Sequence, residues 1–267
     1  MEKIGLVAGQ GELPIIFSRA AKQRGDSVIA FCLKGVTDEG ISGHVDKVHW
    51  FDWGELQKAI FVLATERIRK VVMLGKVKKD VLFKEDVKLD EKARELLKKA
   101  GDRKDYSILK GVSNALKVIG VEIMDPSPYL KELVPSKGLL TSRKPTKEES
   151  EDMEYGRSVA KELSRFDIGQ TVVIKNKTII AMEAVEGTDE TIKRAGSLCK
   201  GGFVVVKVSR PNQDMRFDIP LVGLQTVRTL IDAGGSALAL EENKTFLMDR
   251  EEIIKLADEK GVSIVVI

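Results

Sequence analysis

From Ile4 to Met124, short apolar runs alternate with stretches whose apolar residues recur at helical spacing, and that alternation leaves few folds open. Ile4–Ala8, Ser27–Leu33, Lys47–Phe51, Lys70–Leu74 and Val121–Met124 read as strands. Between them the spacing predicts helices over Leu13–Arg24, Glu55–Ile68, Asp90–Ala100 and Tyr106–Ile119, with Gly25 and Gly120 as stop signals. Strands joined through helices pair in parallel, because the crossover returns the chain to the same end of the sheet. The expectation for residues 1–134 is therefore a Rossmann-like, doubly wound α/β domain.

Residues 135–150 change character: they are polar and highly charged, hold Gly138 and Pro145, and read as a linker. A helix over Lys147–Arg165 leads into a second domain, 151–267. Strands are expected there at Thr171–Lys175, Thr178–Glu183, Phe203–Val208, Ser236–Leu240, Thr245–Met248 and Val262–Ile267. Helices are expected at Glu190–Leu198, Leu224–Ala233 and Asp249–Lys260. Strand pairs stand beside helices in this half, so the expectation is a mixed α/β domain.

With 267 residues and 43% apolar content, the chain has the material for a substantial core. Its 44 basic and 41 acidic side chains nearly cancel, so nothing calls for a nucleic-acid partner. The only cysteines are Cys32, in an apolar run, and Cys199, in a polar one, a pattern that reads as a reduced cytoplasmic protein. MEKIGLVAG has neither the basic nor the apolar region of a signal peptide. No apolar run approaches the roughly 20 residues of a membrane span.

The segment Lys207–Gly223 carries the densest chemistry. Asp214 and Asp218 share it with Arg210, Gln213 and Arg216, and Pro211 and Pro220 disfavour a helix through it. Acid and base together in a loop suit a metal-bridged phosphate, where carboxylates hold the cation and Arg or Lys meets the phosphoryl oxygens. In Glu183-Ala-Val-Glu186-Gly187-Thr188-Asp189 a strand runs into a glycine turn, and Thr188 or Asp189 caps the next helix. Four polar groups exceed what capping requires, so a ligand or metal role is expected, with Gln170 presented to the same place. Gly9-Gln10-Gly11 opens the first helix, where free N–H groups favour an anion. Gly75-Lys76 and Gly101-Asp102 stand at other loops that a doubly wound sheet brings to one crevice.

The glycine turn is not a dinucleotide fingerprint. Pro14 stands where the third glycine belongs, and the second strand ends on Leu33-Lys34 without a ribose-binding acid. An NAD-dependent oxidoreductase is disfavoured on both counts. The serines show no His and Asp partners for a nucleophilic triad, and His44 and His49 read as packing or surface residues.

In order, Gly5-Leu-Val-Ala-Gly9-Gln-Gly11-Glu-Leu-Pro14, Gly75-Lys-Val77, Gly101-Asp102, Asp167-Ile-Gly169-Gln170, Glu183–Asp189 and Asp218-Ile-Pro-Leu-Val-Gly223 span nearly the whole chain. So arranged, they resemble the LpxI family, the UDP-2,3-diacylglucosamine pyrophosphatases of lipid A biosynthesis. One departure is Lys78-Lys79, where relatives often carry Arg-Pro.

The resemblance implies a Rossmann-like N-terminal domain tethered to a C-terminal α/β domain, with a substrate cleft between them. It implies hydrolysis of the pyrophosphate bond to UMP and 2,3-diacylglucosamine 1-phosphate, by metal-assisted water attack on the α-phosphorus. The family's essential aspartate falls on Asp218, which would hold a Mg²⁺ or Mn²⁺ ion, with Asp189 and Asp214, or align the water. Lys207 and Arg216 would stabilise the developing charge. Gly9, Gln10, Gly11, Gly75, Lys76, Gly101, Asp102, Gln170, Glu186, Gly187, Thr188 and Gln213 would contact substrate. A lipid-linked UDP-sugar implies a cytoplasmic enzyme in transient, peripheral contact with the inner membrane. The oligomeric state stays open, a homodimer included. The alternative, a non-catalytic nucleotide-sugar or lipid-binding protein, gains nothing from Asp214 and Asp218 unless a cation is present.

Overall fold

The computed structural model describes residues 1–77, 89–100, 105–166, 168–211 and 213–267. By contact they form two compact units, one of Met1–Leu130 with Met215–Phe217, the other of Lys131–Asp214 with Asp218–Ile267.

The first unit holds a five-stranded parallel sheet in the order β3-β2-β1-β4-β5. Its strands are β1 (Lys3–Ala8), β2 (Ser27–Leu33), β3 (Lys47–Phe51), β4 (Lys70–Leu74) and β5 (Glu122–Ile123). The helices are α1 (Leu13–Gln23), α2 (Leu56–Thr65), α3 (Glu91–Ala100) and α4 (Asp105–Val118). Pro14 sits in the first turn of α1, where its missing N–H costs no hydrogen bond. Helix α2 stops three residues before the expected Ile68, because Arg67 turns to φ 56°. One core cluster joins Ile29, Phe31, Phe51, Leu63, Ile68, Val71 and Leu116, with the rings of Phe31 and Phe51 stacked at 5.6 Å. Phe217 packs against the same cluster, which is why a three-residue piece from late in the chain groups with this unit.

Strand order reverses between β1 and β4, so the loops after these two strands meet. There the backbone crosses itself at contact distance. A Cβ on Gly9 would lie 2.7 Å from the Gly75 carbonyl carbon, and one on Gly75 would lie 2.7 Å from that of Gly9. Gln10 and Lys76 exchange N–H···O bonds of 2.9 and 2.8 Å across the crossing.

The second unit is built on a six-stranded mixed sheet, ordered β6-β13-β11-β9-β7-β8. These are β6 (Gly138–Leu139), β7 (Thr171–Lys175), β8 (Thr178–Met182), β9 (Phe203–Lys207), β11 (Gly235–Leu240) and β13 (Ser263–Val266). Strands β9, β11 and β13 run parallel, whereas β7 is antiparallel to β9, β8 to β7 and β6 to β13. A separate parallel pair joins β10 (Leu221–Val222) and β12 (Phe246–Leu247). Because Gly138–Leu139 pairs with β13, part of the stretch read as a linker is folded into this unit.

Helix α5 (Lys147–Arg165) opens with a capping box between Thr146 and Glu149. It covers one face of the sheet, where Met153 and Ala160 meet Val172, Ile174, Val204 and Val206. Its Gly156 leaves no room for a side chain, since a Cβ there would lie 2.7 Å from Val206. The other face packs Val173, Phe203, Val205 and Leu238 against α6 (Thr188–Leu198), α7 (Leu224–Asp232) and α8 (Arg250–Glu259). Covered on both sides, β9 is buried along its whole length, which is why Phe-Val-Val-Val reads as a continuous apolar run.

Candidate active site

Four chain segments bring polar side chains to one end of this mixed sheet. Residue Lys207 ends β9 and pairs with Thr171 at the start of β7. Glu183 comes directly after β8, and the Glu183 N–H bonds the Thr171 carbonyl at 2.9 Å. Glu241 comes directly after β11 and bonds the Lys207 carbonyl through its own N–H at 3.1 Å. Antiparallel pairing thus sets Gln170, which leads into β7, beside the ends of β8 and β9.

Asp218 is the focus of the cluster. Its Oδ2 accepts from Gln170 Nε2 at 2.8 Å, Gln213 Nε2 at 3.0 Å and the Arg210 guanidinium at 3.3 Å. Gln213 also donates to the Asp218 carbonyl at 2.6 Å, and its Oε1 accepts from the Arg210 N–H at 3.0 Å. The donors converge on one oxygen, and no hydrogen bond among the described residues reaches Oδ1. The Asp214 carbonyl accepts from the Asp218 N–H at 3.1 Å, so Asp214 folds the loop through its backbone.

Lys207 is only 8% exposed, and its Nζ donates to Thr188 Oγ1 at 2.7 Å. Thr188 begins α6, after Gly187 in a left-handed conformation at φ 84°. The Thr188 hydroxyl in turn donates to Glu183 Oε1 at 2.8 Å, while Glu183 Oε2 accepts the Gln170 N–H at 3.2 Å. A continuous path therefore runs Lys207–Thr188–Glu183–Gln170–Asp218–Gln213–Arg210.

Beneath the loop, Glu241 accepts from the Ser209 N–H at 2.7 Å and the Ser209 hydroxyl at 2.9 Å, and pairs with Lys161 of α5. Burial pushes the Glu241 carboxyl up, but Lys161 and the two Ser209 donors outweigh it and hold the group below its ordinary value. The start of the Asp218 loop is thus pinned to the sheet.

The remaining candidates divide clearly. Gln170, Lys207, Thr188, Gln213 and Asp218 are brought together. Glu186 turns back on its own helix start, accepting from Arg194, from Thr191 at 3.2 Å and from the Ala184 N–H at 3.2 Å. Its own backbone N–H, then Arg194, lower its pKa. Asp189 accepts from Thr226 at 2.7 Å. The three aspartates expected to share a metal do not gather: among the described residues no three His, Cys, Asp or Glu side chains form a metal-ligating group. Arg216 belongs to the segment grouped with the first unit, its guanidinium 5.0 Å from the Phe217 ring centroid.

Gly9, Gln10, Gly75 and Lys76 meet at the β1–β4 crossing, where close backbone approach alone accounts for Gly9 and Gly75, and Gly11 follows it at φ 102° with open space around its Cα. Gly101, Asp102, Asp167 and Lys78-Lys79 lie outside the described residues. Glu241 carried no sequence signal that marked it for this site, whereas Glu183 and Arg210 stood within the motifs singled out above without a role of their own. Glu183 lay inside a chosen motif, and the signal that separates it from Glu186 is its position directly after β8, where the pairing with β7 holds it.

Together these features define an α/β protein of two compact units whose second unit presents an acid, a buried cation and several amide donors at one end of a mixed sheet. Two family models account for it: the LpxI N-terminal domain matches residues 3–133 and the LpxI C-terminal domain residues 136–265. The chain belongs to the LpxI family. It is 27% identical to the UDP-2,3-diacylglucosamine pyrophosphatase LpxI of Caulobacter vibrioides over 275 residues, covering 98% of this chain and 96% of the relative.

Proposed function

We propose that this protein hydrolyses the pyrophosphate bond of UDP-2,3-diacylglucosamine, giving UMP and 2,3-diacylglucosamine 1-phosphate, as a step of lipid A biosynthesis. The observation that carries the reading is the convergence of Gln170, Gln213 and Arg210 on Oδ2 of Asp218, on the same hydrogen-bonded path as Lys207. A carboxylate held by three donors has a fixed orientation, and its Oδ1 is the atom to accept a proton from water or to meet a cation. Lys207, shielded from solvent, acts more strongly on a phosphoryl oxygen than an exposed lysine would. A binding module would need the cation without needing so constrained a carboxylate.

The donor set suits Mg²⁺ or Mn²⁺ of one kind only. A single carboxylate can share such an ion with the diphosphate and water, as is usual for Mg²⁺ at phosphate sites, whereas an all-protein cage needs ligands that do not assemble among the described residues. When bound, the ion would neutralise diphosphate charge that otherwise repels the attacking water. Asp218 would orient that water or ion, Lys207 would meet the charge developing on the phosphoryl oxygens, and Gln170 and Gln213 would keep the carboxylate aligned.

Incubation with UDP-2,3-diacylglucosamine and Mg²⁺ should release UMP, stop in EDTA and resume on adding Mg²⁺ or Mn²⁺. Absence of UMP overturns the hydrolase reading; full activity in excess chelator, with no metal by elemental analysis, overturns the metal. Attack at the α-phosphorus is the expectation to test with ¹⁸O-water: label in UMP supports it, and label in the sugar phosphate overturns it. No helix among the described residues is long and apolar enough to cross a membrane. Contact with the membrane that holds a lipid-linked substrate is proposed as transient and peripheral.

A further inference from the structure

Glu183 joins the acid and the cation of this site, although it belongs to neither. Its two oxygens serve different partners: Oε1 accepts the Thr188 hydroxyl at 2.8 Å, and Oε2 accepts the Gln170 N–H at 3.2 Å. The Thr188 hydroxyl has a single proton. Once that proton is given to Glu183, the Thr188 oxygen can only accept, and the donor it faces is Lys207 Nζ at 2.7 Å. Thr171 Oγ1, at 3.4 Å, is the other polar side-chain group against this hydroxyl among the described residues. Glu183 therefore sets the direction of the Thr188 hydroxyl, and through it the resting place of the Lys207 side chain.

The second oxygen reaches the acid. Gln170, fixed through its N–H to Glu183 and through its carbonyl to the Val208 N–H at 2.9 Å, extends Nε2 to Asp218. Gly169 presses the same segment onto Glu183, since a Cβ there would lie 2.1 Å from the Glu183 carbonyl oxygen. Glu186, the other glutamate of the motif, is engaged at its own helix start by Arg194, Thr191 and the Ala184 N–H.

We propose that Glu183 is a positioning residue that keeps Lys207 and Asp218 in register for diphosphate hydrolysis, an inference that rests on the hydrolase reading above. A glutamine at 183 keeps one accepting oxygen and turns an NH₂ toward the other donor, so either Thr188 or Gln170 loses its acceptor. A valine at 188 breaks only the path to Lys207; a serine retains it.

The test is steady-state hydrolysis of UDP-2,3-diacylglucosamine with Mg²⁺ by the wild type, Glu183→Gln, Thr188→Val, Thr188→Ser and the double variant Glu183→Gln/Thr188→Val. Glu183→Gln and Thr188→Val are each expected to lower kcat about tenfold or more with KM within about twofold and an unchanged melting temperature. Thr188→Ser should keep most of the wild-type kcat. The double variant should be no more than about threefold worse than the poorer single variant, because both cut one path. A wild-type kcat in Glu183→Gln, an effect on KM alone, or fully multiplicative losses would overturn the inference. If Glu183→Gln does not fold, equal kcat values for Thr188→Val and Thr188→Ser would overturn it instead. A wild type that releases no UMP would overturn the hydrolase reading and this inference with it, whereas turnover undiminished by Glu183→Gln would overturn this inference alone.

Discussion

Replacing Gly169 with alanine is the smallest change that should disturb the Asp218 cluster without replacing any of its polar side chains. The new Cβ would lie 2.1 Å from the Glu183 carbonyl oxygen, 2.7 Å from its carbon and 3.0 Å from the Glu183 Cβ. An ordinary carbon–oxygen separation requires the two segments to part by about 1 Å or more. Both are backbone, so no side-chain rotation relieves the clash. That shift lengthens the 3.2 Å bond from the Gln170 N–H to Glu183 and the 2.8 Å bond from Gln170 Nε2 to Asp218 beyond useful geometry. A displacement of about 1 Å in a catalytic array is worth about a hundredfold in rate, so kcat for UMP release should fall by about that factor. Overpacking of this kind costs about 1–3 kcal/mol, which for a chain of this size lowers the melting temperature by roughly 2–4 °C per kcal/mol. Gly43→Ala is the control: a Cβ there meets nothing within 4 Å, so stability should stay within about 0.5 kcal/mol of wild type. Thermal unfolding measured by circular dichroism gives the stability arm. A Gly169→Ala protein with wild-type kcat would refute the coupling between this contact and Asp218, whatever its melting temperature.

Asp218→Asn keeps the side-chain shape and removes its charge; kcat should drop about a hundredfold or more in a protein that still folds and binds substrate, and near-wild-type turnover would refute the role. Asp152, 4% exposed, accepts the N–H groups of Asn176 and Lys177 at 2.8 and 2.6 Å, both with positive φ in the β7–β8 turn. Asp152→Ala should therefore cost about 3 kcal/mol in urea unfolding, and a loss below about 1 kcal/mol would contradict the structure. Glu241 is held below its ordinary pKa of 4.5, so the stability it supplies is present above that value and is lost as pH falls through the lower, folded pKa. The wild type should exceed Glu241→Gln in unfolding free energy near neutrality, with the gap closing as pH falls below 4.5; a gap that does not depend on pH would exclude the ion pair as its cause.

Much of the fold was legible because periodicity and stop signals agree in this chain. β9 reads as an apolar run since both faces are covered, and Pro14 reads as a helix start since its φ and missing N–H suit the first turn. Helix α2 ran short of the expected end because the apolar pattern continues past Thr65, while the backbone reverses at Arg67. Pattern registers burial, not dihedral angle. The grouping of Met215–Phe217 with the first unit was not legible at all, because one phenylalanine in a polar loop carries no period.

The site was legible as a set of motifs and not as a network, for a reason rooted in strand direction. In an all-parallel sheet, the residues that gather at one end all come after strands. Here β7 is antiparallel to β9, so its first residue, Thr171, pairs with the last of β9, Lys207. β8 is antiparallel to β7, which returns Met182 and then Glu183 to the same end. Gln170 from before a strand, with Glu183, Lys207 and Glu241 from the ends of three others, is thereby collected at one end, although the four span residues 170–241. Spacing along the chain could not separate Glu183 from Glu186, because both come after β8 within four residues. The pairing does separate them: Glu183 lies against Thr171 and Gly169 and reaches inward to Gln170, whereas Glu186 has already entered the turn that starts α6. A mixed sheet makes a strand's first residue as useful to a site as its last, and in this protein that places Gln170 on Asp218.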